Sequence, residues 1–264
     1  MNILEQIAAQ TRERIEAEKR QTPTEELIRQ IEAMEQKKSK QSFYEALKKP
    51  GMSYICEVKK ASPSKGLIAS DFPYLDIARE YEAAGASAIS CLTEPFRFLG
   101  KDAYLQEIAA QVEIPVLRKD FTVDEYMIYQ ARLLGASAVL LICAILDDAQ
   151  LRAYRELAES LGMDALVEAH DETEVGRAAV SGARIIGVNN RDLKTFRVDV
   201  TNSVRLRSLI PKEAAYVSES GIRTAQDIQV LRENRVDAVL IGETLMRSQE
   251  KREALEALNG GMLQ

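Results

Sequence analysis

Eight short β-rich runs alternate along this chain with stretches of helical spacing. That alternation predicts an α/β fold, a (βα)8 TIM barrel with an N-terminal helical extension. A second observation is the glycine–alanine pair that ends several helical stretches and leads into the next strand: Gly85-Ala86, Gly135-Ala136 and Gly182-Ala183. Glycine ends a helix at low cost because it accepts a left-handed conformation, so the pair punctuates a repeated βα unit. Third, 264 residues are enough for a parallel barrel built as one domain. An open doubly wound sheet is the alternative, but no GxGxxG follows the first strand.

In chain order, residues 1–50 come before the first strand. Ile3, Ile7 and Ile15, then Leu27, Ile31 and Met34, mark two amphipathic helices, with Pro23 near the break. A third short helix, FYEALKK, leads to Pro50-Gly51. This extension is expected to cap the barrel and in part to shield its mouth. Residues 51–264 are expected to form the barrel, the whole being a single domain. Its strands are YICEVK (54–59), SAISCLT (87–93), PVLRKD (115–120), SAVLLIC (137–143), ALVEAH (165–170), RIIGVNN (184–190), AYVSES (215–220) and DAVLIGE (237–243). The helices between them include YLDIAREYEAAG (74–85) and DEYMIYQARLLG (124–135).

Composition narrows the function. With a net charge of −6, no basic excess argues for nucleic acid. The longest apolar run, ASAVLLICAIL (136–146), is shorter than the roughly 20 residues a membrane helix needs. MNILEQIAAQ lacks the basic and apolar regions of a signal peptide. Cys56, Cys91 and Cys143 sit in apolar runs without a CxxC, as reduced core cysteines do, so a cytoplasmic protein is expected. A single histidine, His170, excludes multi-histidine metal sites.

In such a barrel, chemistry belongs at the carboxyl ends of the strands. The first strand ends in EVKKASPSKG, where Glu57 and Lys59 share a face and Ser62 follows in the turn. The third supplies Lys119, with Phe121 beyond it; the fifth Glu168 and His170; the sixth Asn189, Asn190 and Arg191; the seventh Glu219. The fourth ends apolar, with Leu140 and Ile142 as candidate walls. If these positions point inward, two lysines and two glutamates converge, a set suited to general acid–base chemistry. A lysine near other cations or in an apolar pocket has its pKa lowered and can donate a proton near neutral pH. The competing reading of each charge is a solvated loop residue or a barrel-end ion pair. His170 reads as a hydrogen-bonded barrel-end residue rather than a catalyst. After strands seven and eight, Ser220-Gly221 and Gly242-Glu243 stand where barrels commonly bind phosphate.

Taken together, EVKKASPSKG, CLTEPFRFLG (91–100), VLRKDF (116–121), LVEAH (166–170), GVNNRDL (187–193), SESGI (218–222) and IGETLM (241–246) resemble the indole-3-glycerol phosphate synthases over nearly the whole chain. The resemblance implies conversion of 1-(2-carboxyphenylamino)-1-deoxyribulose 5-phosphate to indole-3-glycerol phosphate, carbon dioxide and water, without metal or organic cofactor. It implies that Lys119 is the general acid of ring closure and that Lys59 pairs with the substrate carboxylate and Glu57. Glu168 would serve the dehydration, with Glu57 as its acidic counterpart. Asn189 would hold the anthranilate edge, and Arg191, Ser62 and Glu219 would contact substrate. Phe121, Leu140 and Leu193 would wall the aromatic part. Ser220, Gly221, Gly242 and Glu243 would cradle the phosphate, Glu243 through its backbone with its side chain turned away. One departure is Gly100-Lys101, where glycine–serine is common in the family. The expected partner is a small phosphorylated molecule, with no nucleic acid or membrane, and the expected state a monomer or weak homodimer. Alternatives are another phosphate-binding barrel enzyme, such as phosphoribosylanthranilate isomerase or a Schiff-base aldolase, and a non-catalytic scaffold.

Overall fold

A computed structural model describes residues 3–34, 41–192 and 197–261. Eight parallel strands close into a barrel: β1 (Ser53–Val58), β2 (Ala88–Leu92), β3 (Val116–Lys119), β4 (Ala138–Ile142), β5 (Asp164–Ala169), β6 (Ile185–Asn189), β7 (Ala215–Glu219) and β8 (Ala238–Ile241). Each pairs with its chain neighbours and β1 pairs with β8, so no edge is left exposed. The predicted glycine–alanine joints are present. Gly85, Gly135 and Gly182 have φ of 92°, 84° and 83°, and the following alanine N–H bonds back to the helix carbonyl of Tyr81, Ala131 or Ala178.

Strand alternation sorts the barrel into two apolar layers. Cys56, Ile89, Val139, Val167, Ile186 and Val239 face outward into the cluster shared with the helices. Ile55, Leu117, Leu140, Leu166, Val217 and Leu240 fill the interior. Cys56 therefore faces away from Glu57 and Lys59. All eight strands end one or two residues before their predicted bounds. Cys143 begins a 3-10 turn, and Glu243 is the first residue of a short helix, Glu243–Arg247, so neither belongs to a strand.

The segment before the barrel serves both of its ends. Helix α1 (Ile3–Gln21) sets Ile3, Leu4 and Ile7 into the mouth at the carboxyl ends of the strands. Its later turns lie against the connection after β3 and the helix that follows, Tyr126–Leu133. In the connection Arg14 bonds Asp120 at 3.0 Å and Lys19 bonds Asp124 at 2.6 Å. Helix α2 (Thr24–Glu32) follows the break at Pro23. Helix α3 (Phe43–Leu47) goes to the opposite end. There Phe43 and Leu47 join the interior cluster beside Ala88, Ala138, Ala215 and Ala238, whose small side chains leave room for the plug. Ser42 and the Tyr44 N–H both donate to Asp164 at the start of β5, and Lys48 reaches Asp237 before β8. The predicted cap is thus two devices, a lid element over the mouth and a plug in the floor.

Candidate active site

One cavity opens at the carboxyl ends of the strands. Its lining includes Glu57, Lys59, Ser62, Lys119, Phe121, Leu140, Glu168, Asn189, Arg191, Glu219, Ser220, Gly221, Gly242 and Glu243. Leu193, the remaining sequence candidate, lies outside the described residues. The strand register explains the convergence. Lys119 stands beside Leu92, Glu168 beside Ile142 and Gly187, and Glu219 beside Asn189 and Leu240. All belong to the inward set, so alternation aims them at one axis.

Charge pairing dominates the centre. Lys119 Nζ lies 3.5 Å from Glu168 Oε2 and 3.8 Å from Glu219 Oε2. Lys59 pairs with Glu57. Asn189 Nδ2 donates to Glu168 Oε1 at 3.3 Å. The side chains of Glu168 and Glu219 are 3% and 2% exposed, so the carboxylates act on one another through little water. Burial pushes the Lys119 ammonium toward losing its proton, but Glu168, Glu219 and Glu57 outweigh it and raise the pKa above that of an ordinary lysine. The lowering expected from sequence is therefore corrected: it needs neighbouring cations, and the neighbours are carboxylates. Burial also favours the neutral acid at Glu168, yet Lys119, His170 and Asn189 hold its pKa below the usual range. Glu219 goes the other way. Burial and the nearby Glu168 push it up to about 8 against the pull of Lys119. Two carboxylates share one ammonium, one ionised and the other holding a proton near neutrality.

Two glycines make room for this density of charge. A Cβ on Gly187 would overlap Glu219 Oε1, and one on Gly242 would overlap Glu57 Oε1 and crowd Lys59 Nζ. After β7 the backbone turns through consecutive left-handed residues, Ser220 at φ 69° and Gly221 at φ 87°. For serine that conformation is unfavourable. Asn190 helps hold it, donating to the Ser220 carbonyl and to Ser218 Oγ while accepting from Ser203. The Glu243 side chain bonds Arg247 at 3.1 Å and lies 3.4 Å from Lys65 of the β1 turn.

Several strand-end polar residues stand outside the cavity. Arg118 points outward to Asp102 and the Met127 carbonyl, and Glu94 accepts the N–H groups of Phe96, Arg97 and Phe98. Sequence reading missed other members of the lining: Phe98, Arg223 and Thr244. Phe98 and Arg223 lie within or just beyond recognised motifs, but on loops where no periodicity says which way a side chain points. Phe98 packs near Phe121, their ring centroids 6.3 Å apart.

The sequence profile of the indole-3-glycerol phosphate synthase family matches residues 4–258. The chain is similar to the indole-3-glycerol phosphate synthase of Ruminiclostridium cellulolyticum, at 55% identity over 98% of this chain and 99% of that one. It is 53% identical to that of Lacticaseibacillus casei, over 97% of this chain and 98% of its relative. Among solved structures, the fold is similar to 3-hexulose-6-phosphate synthase from Salmonella typhimurium, with a TM-score of 0.63 at 13% identity, over 79% of this chain and 97% of that one. It is also similar to thiamine phosphate pyrophosphorylase from Pyrococcus furiosus, with a TM-score of 0.59 at 16% identity, over 83% and 96% of the two chains. At such identities these structures speak to the barrel alone.

Proposed function

The chain belongs to the indole-3-glycerol phosphate synthase family, and on that premise we propose how its own residues divide the work of the reaction. The enzyme is a carboxy-lyase that closes the indole ring of its phosphorylated substrate with loss of carbon dioxide and water. The observation that carries the assignment is the Lys119 ammonium set between Glu168 and Glu219. As the ring carbon bearing the carboxylate attacks the ketone carbon, Lys119 delivers its proton to the ketone oxygen, where a placed cation offsets developing negative charge. Carbon dioxide then leaves, and its bonding electrons restore the aromatic ring. In the dehydration Glu57 protonates the departing hydroxyl, and Glu168, held ionised, removes the proton from the carbon beside nitrogen. Two protons are given and one is taken, so one proton comes from solvent in each cycle.

Lys59 pairs with the substrate carboxylate. Asn189, Ser62 and Glu219 contact the polar edge of the substrate, Glu219 as a neutral donor, while Phe121 and Leu140 wall the aromatic part. Ser220, Gly221, Gly242 and Glu243 form the phosphate cradle with Arg191. In support, Arg191 and Arg223 line the cavity beside these residues; burial lowers the pKa of Arg191, and Glu243 offsets that in part. We also place the enzyme in the cytoplasm as a monomer or weak dimer. Its three cysteines are free and buried, and among the described residues no helix is long and apolar enough to cross a membrane. The test is indole fluorescence on mixing the protein with the carboxyphenylamino-deoxyribulose phosphate, chelator present. Growth of signal in wild type and none in Lys119→Met is expected. Equal growth in both would remove Lys119 from its role.

A further inference from the structure

The single histidine is bound into the site more closely than a barrel-end residue needs to be. His170 follows Glu168 by two positions and so shares its face. Its Nδ1 lies 3.0 Å from Glu174 Oε2, which also accepts the His170 backbone N–H at 2.8 Å. Glu174 is itself held, because its N–H is capped by Asp171 at the start of the helix Glu172–Val180. Asn202 bonds the His170 carbonyl at 3.1 Å. The other ring nitrogen, Nε2, is buried without a hydrogen-bond partner and lies 3.5 Å from Glu168 Oε1.

A carboxylate only accepts, so Nδ1 carries a hydrogen toward Glu174. A neutral ring would then aim the lone pair of Nε2 at a carboxylate oxygen, leaving two buried acceptors face to face. A proton between them removes the conflict. The pair is then imidazolium with carboxylate or imidazole with carboxylic acid, and its net charge is zero either way. We propose that His170 is a positioning residue, fixed by Glu174 in the one tautomer that lets its Nε2 share a proton with Glu168. The proposal rests on the reading of Glu168 as a catalytic base. Lys119 then holds one oxygen of Glu168 and His170 the other, so the base is oriented and kept ionised from both sides.

The surrounding charges favour this state. Burial opposes charge on the ring, but Glu174, Glu168 and, from β7, Glu219 outweigh it and raise the His170 pKa. Across the adjoining cleft Asp171, Asp192 and Asp199 offset Arg191, Arg197 and Arg205, and Arg205 is paired with Glu172.

With one histidine in the chain, the imidazole signals of untagged, nitrogen-15-labelled protein have a single source. Titration by nitrogen–proton correlation spectroscopy should show the ring titrating above the ordinary ~6.5, with Nδ1–H as the neutral tautomer. Glu168→Gln should lower that value. His170→Asn keeps a donor for Glu174 but lacks Nε2. It should lower kcat about tenfold at unchanged KM, the loss of one charge-assisted hydrogen bond, and move the acid limb of the pH–rate profile upward. His170→Gln, which returns a donor toward Glu168, should recover most of the rate. An Nε2–H tautomer, a wild-type ring titrating at or below the ordinary value, or wild-type kcat with an unmoved limb in His170→Asn would overturn the proposal. The titration reads on wild type whether or not the variants fold. Turnover surviving in Lys119→Met would instead overturn the catalytic reading beneath it.

Discussion

The two ends of the barrel are closed by the same N-terminal segment and yet differ in kind. At the floor, polar groups find complementary partners: Ser53 donates to the carbonyls of Ala46 and Leu47, Asp164 receives Ser42 and Tyr44, and Asp237 receives Lys48 and the Tyr216 N–H. At the mouth, three buried glutamates crowd two lysines, Glu219 Oε1 has no partner, and Ser220 keeps an unfavourable backbone conformation. Satisfied hydrogen bonds stabilise, whereas buried like charges cost free energy and make proton affinities adjustable. One end is therefore built for stability and the other for reactivity.

Substitutions can sharpen or break that division. The largest effect should come from the mouth: Lys119→Met should cut turnover by about 10²–10⁴-fold while far-ultraviolet circular dichroism stays unchanged. A lost fold would mean that the mouth also carries stability. At the floor, Phe43→Ala should cost about 3–5 kcal/mol in chemical denaturation, since the ring is fully buried. Its folded fraction should keep wild-type kcat, and a reduced kcat would join the two ends functionally. Gly187→Ala should lower kcat by about a hundredfold, because the added methyl displaces Glu219 by a fraction of an ångström or more.

The smallest effect is on pH dependence. Glu219 is raised to about 8, so between the ordinary glutamate range and that value the folded state holds a proton that the unfolded chain releases. Stability from this group is present below the unfolded value and falls as pH rises through the window. Thermal midpoints measured from pH 5 to 8 should show that decline in wild type and lose this part of it in Glu219→Gln.

Much of this division is legible in the sequence. Strand periodicity of two is enough to put Glu57 with Lys59, Lys119 with Leu117, Glu168 with Leu166 and Asn189 with Gly187, each pair on one face. That these faces point inward is set by barrel closure. The glycine–alanine joints announce the repeat. What stays hidden depends on distances between strands far apart in sequence. Which way the pKa of Lys119 moves depends on Glu168 and Glu219, 49 and 100 residues away, and their approach is a fact of barrel closure. His170 reads as a barrel-end residue because the 3.5 Å approach of Nε2 to Glu168 follows from the turn after β5 and not from spacing alone. The floor plug escapes sequence reading because an apolar helix signals burial but not which end of a barrel it enters. Gly187 and Gly242 carry no side chain to read, and their use appears only beside the carboxylates they admit.

The extension that reaches both ends also sets a schedule. Arg14 waits for Asp120, 106 residues later, Ser42 for Asp164, 122 residues later, and Lys48 for Asp237, 189 residues later. As the chain leaves the ribosome, α1 and α3 thus cannot complete these contacts until long after they are made, because their receptors are still being translated. The wait is longest for α3, whose Lys48 closes on Asp237 just before the last strand of the barrel.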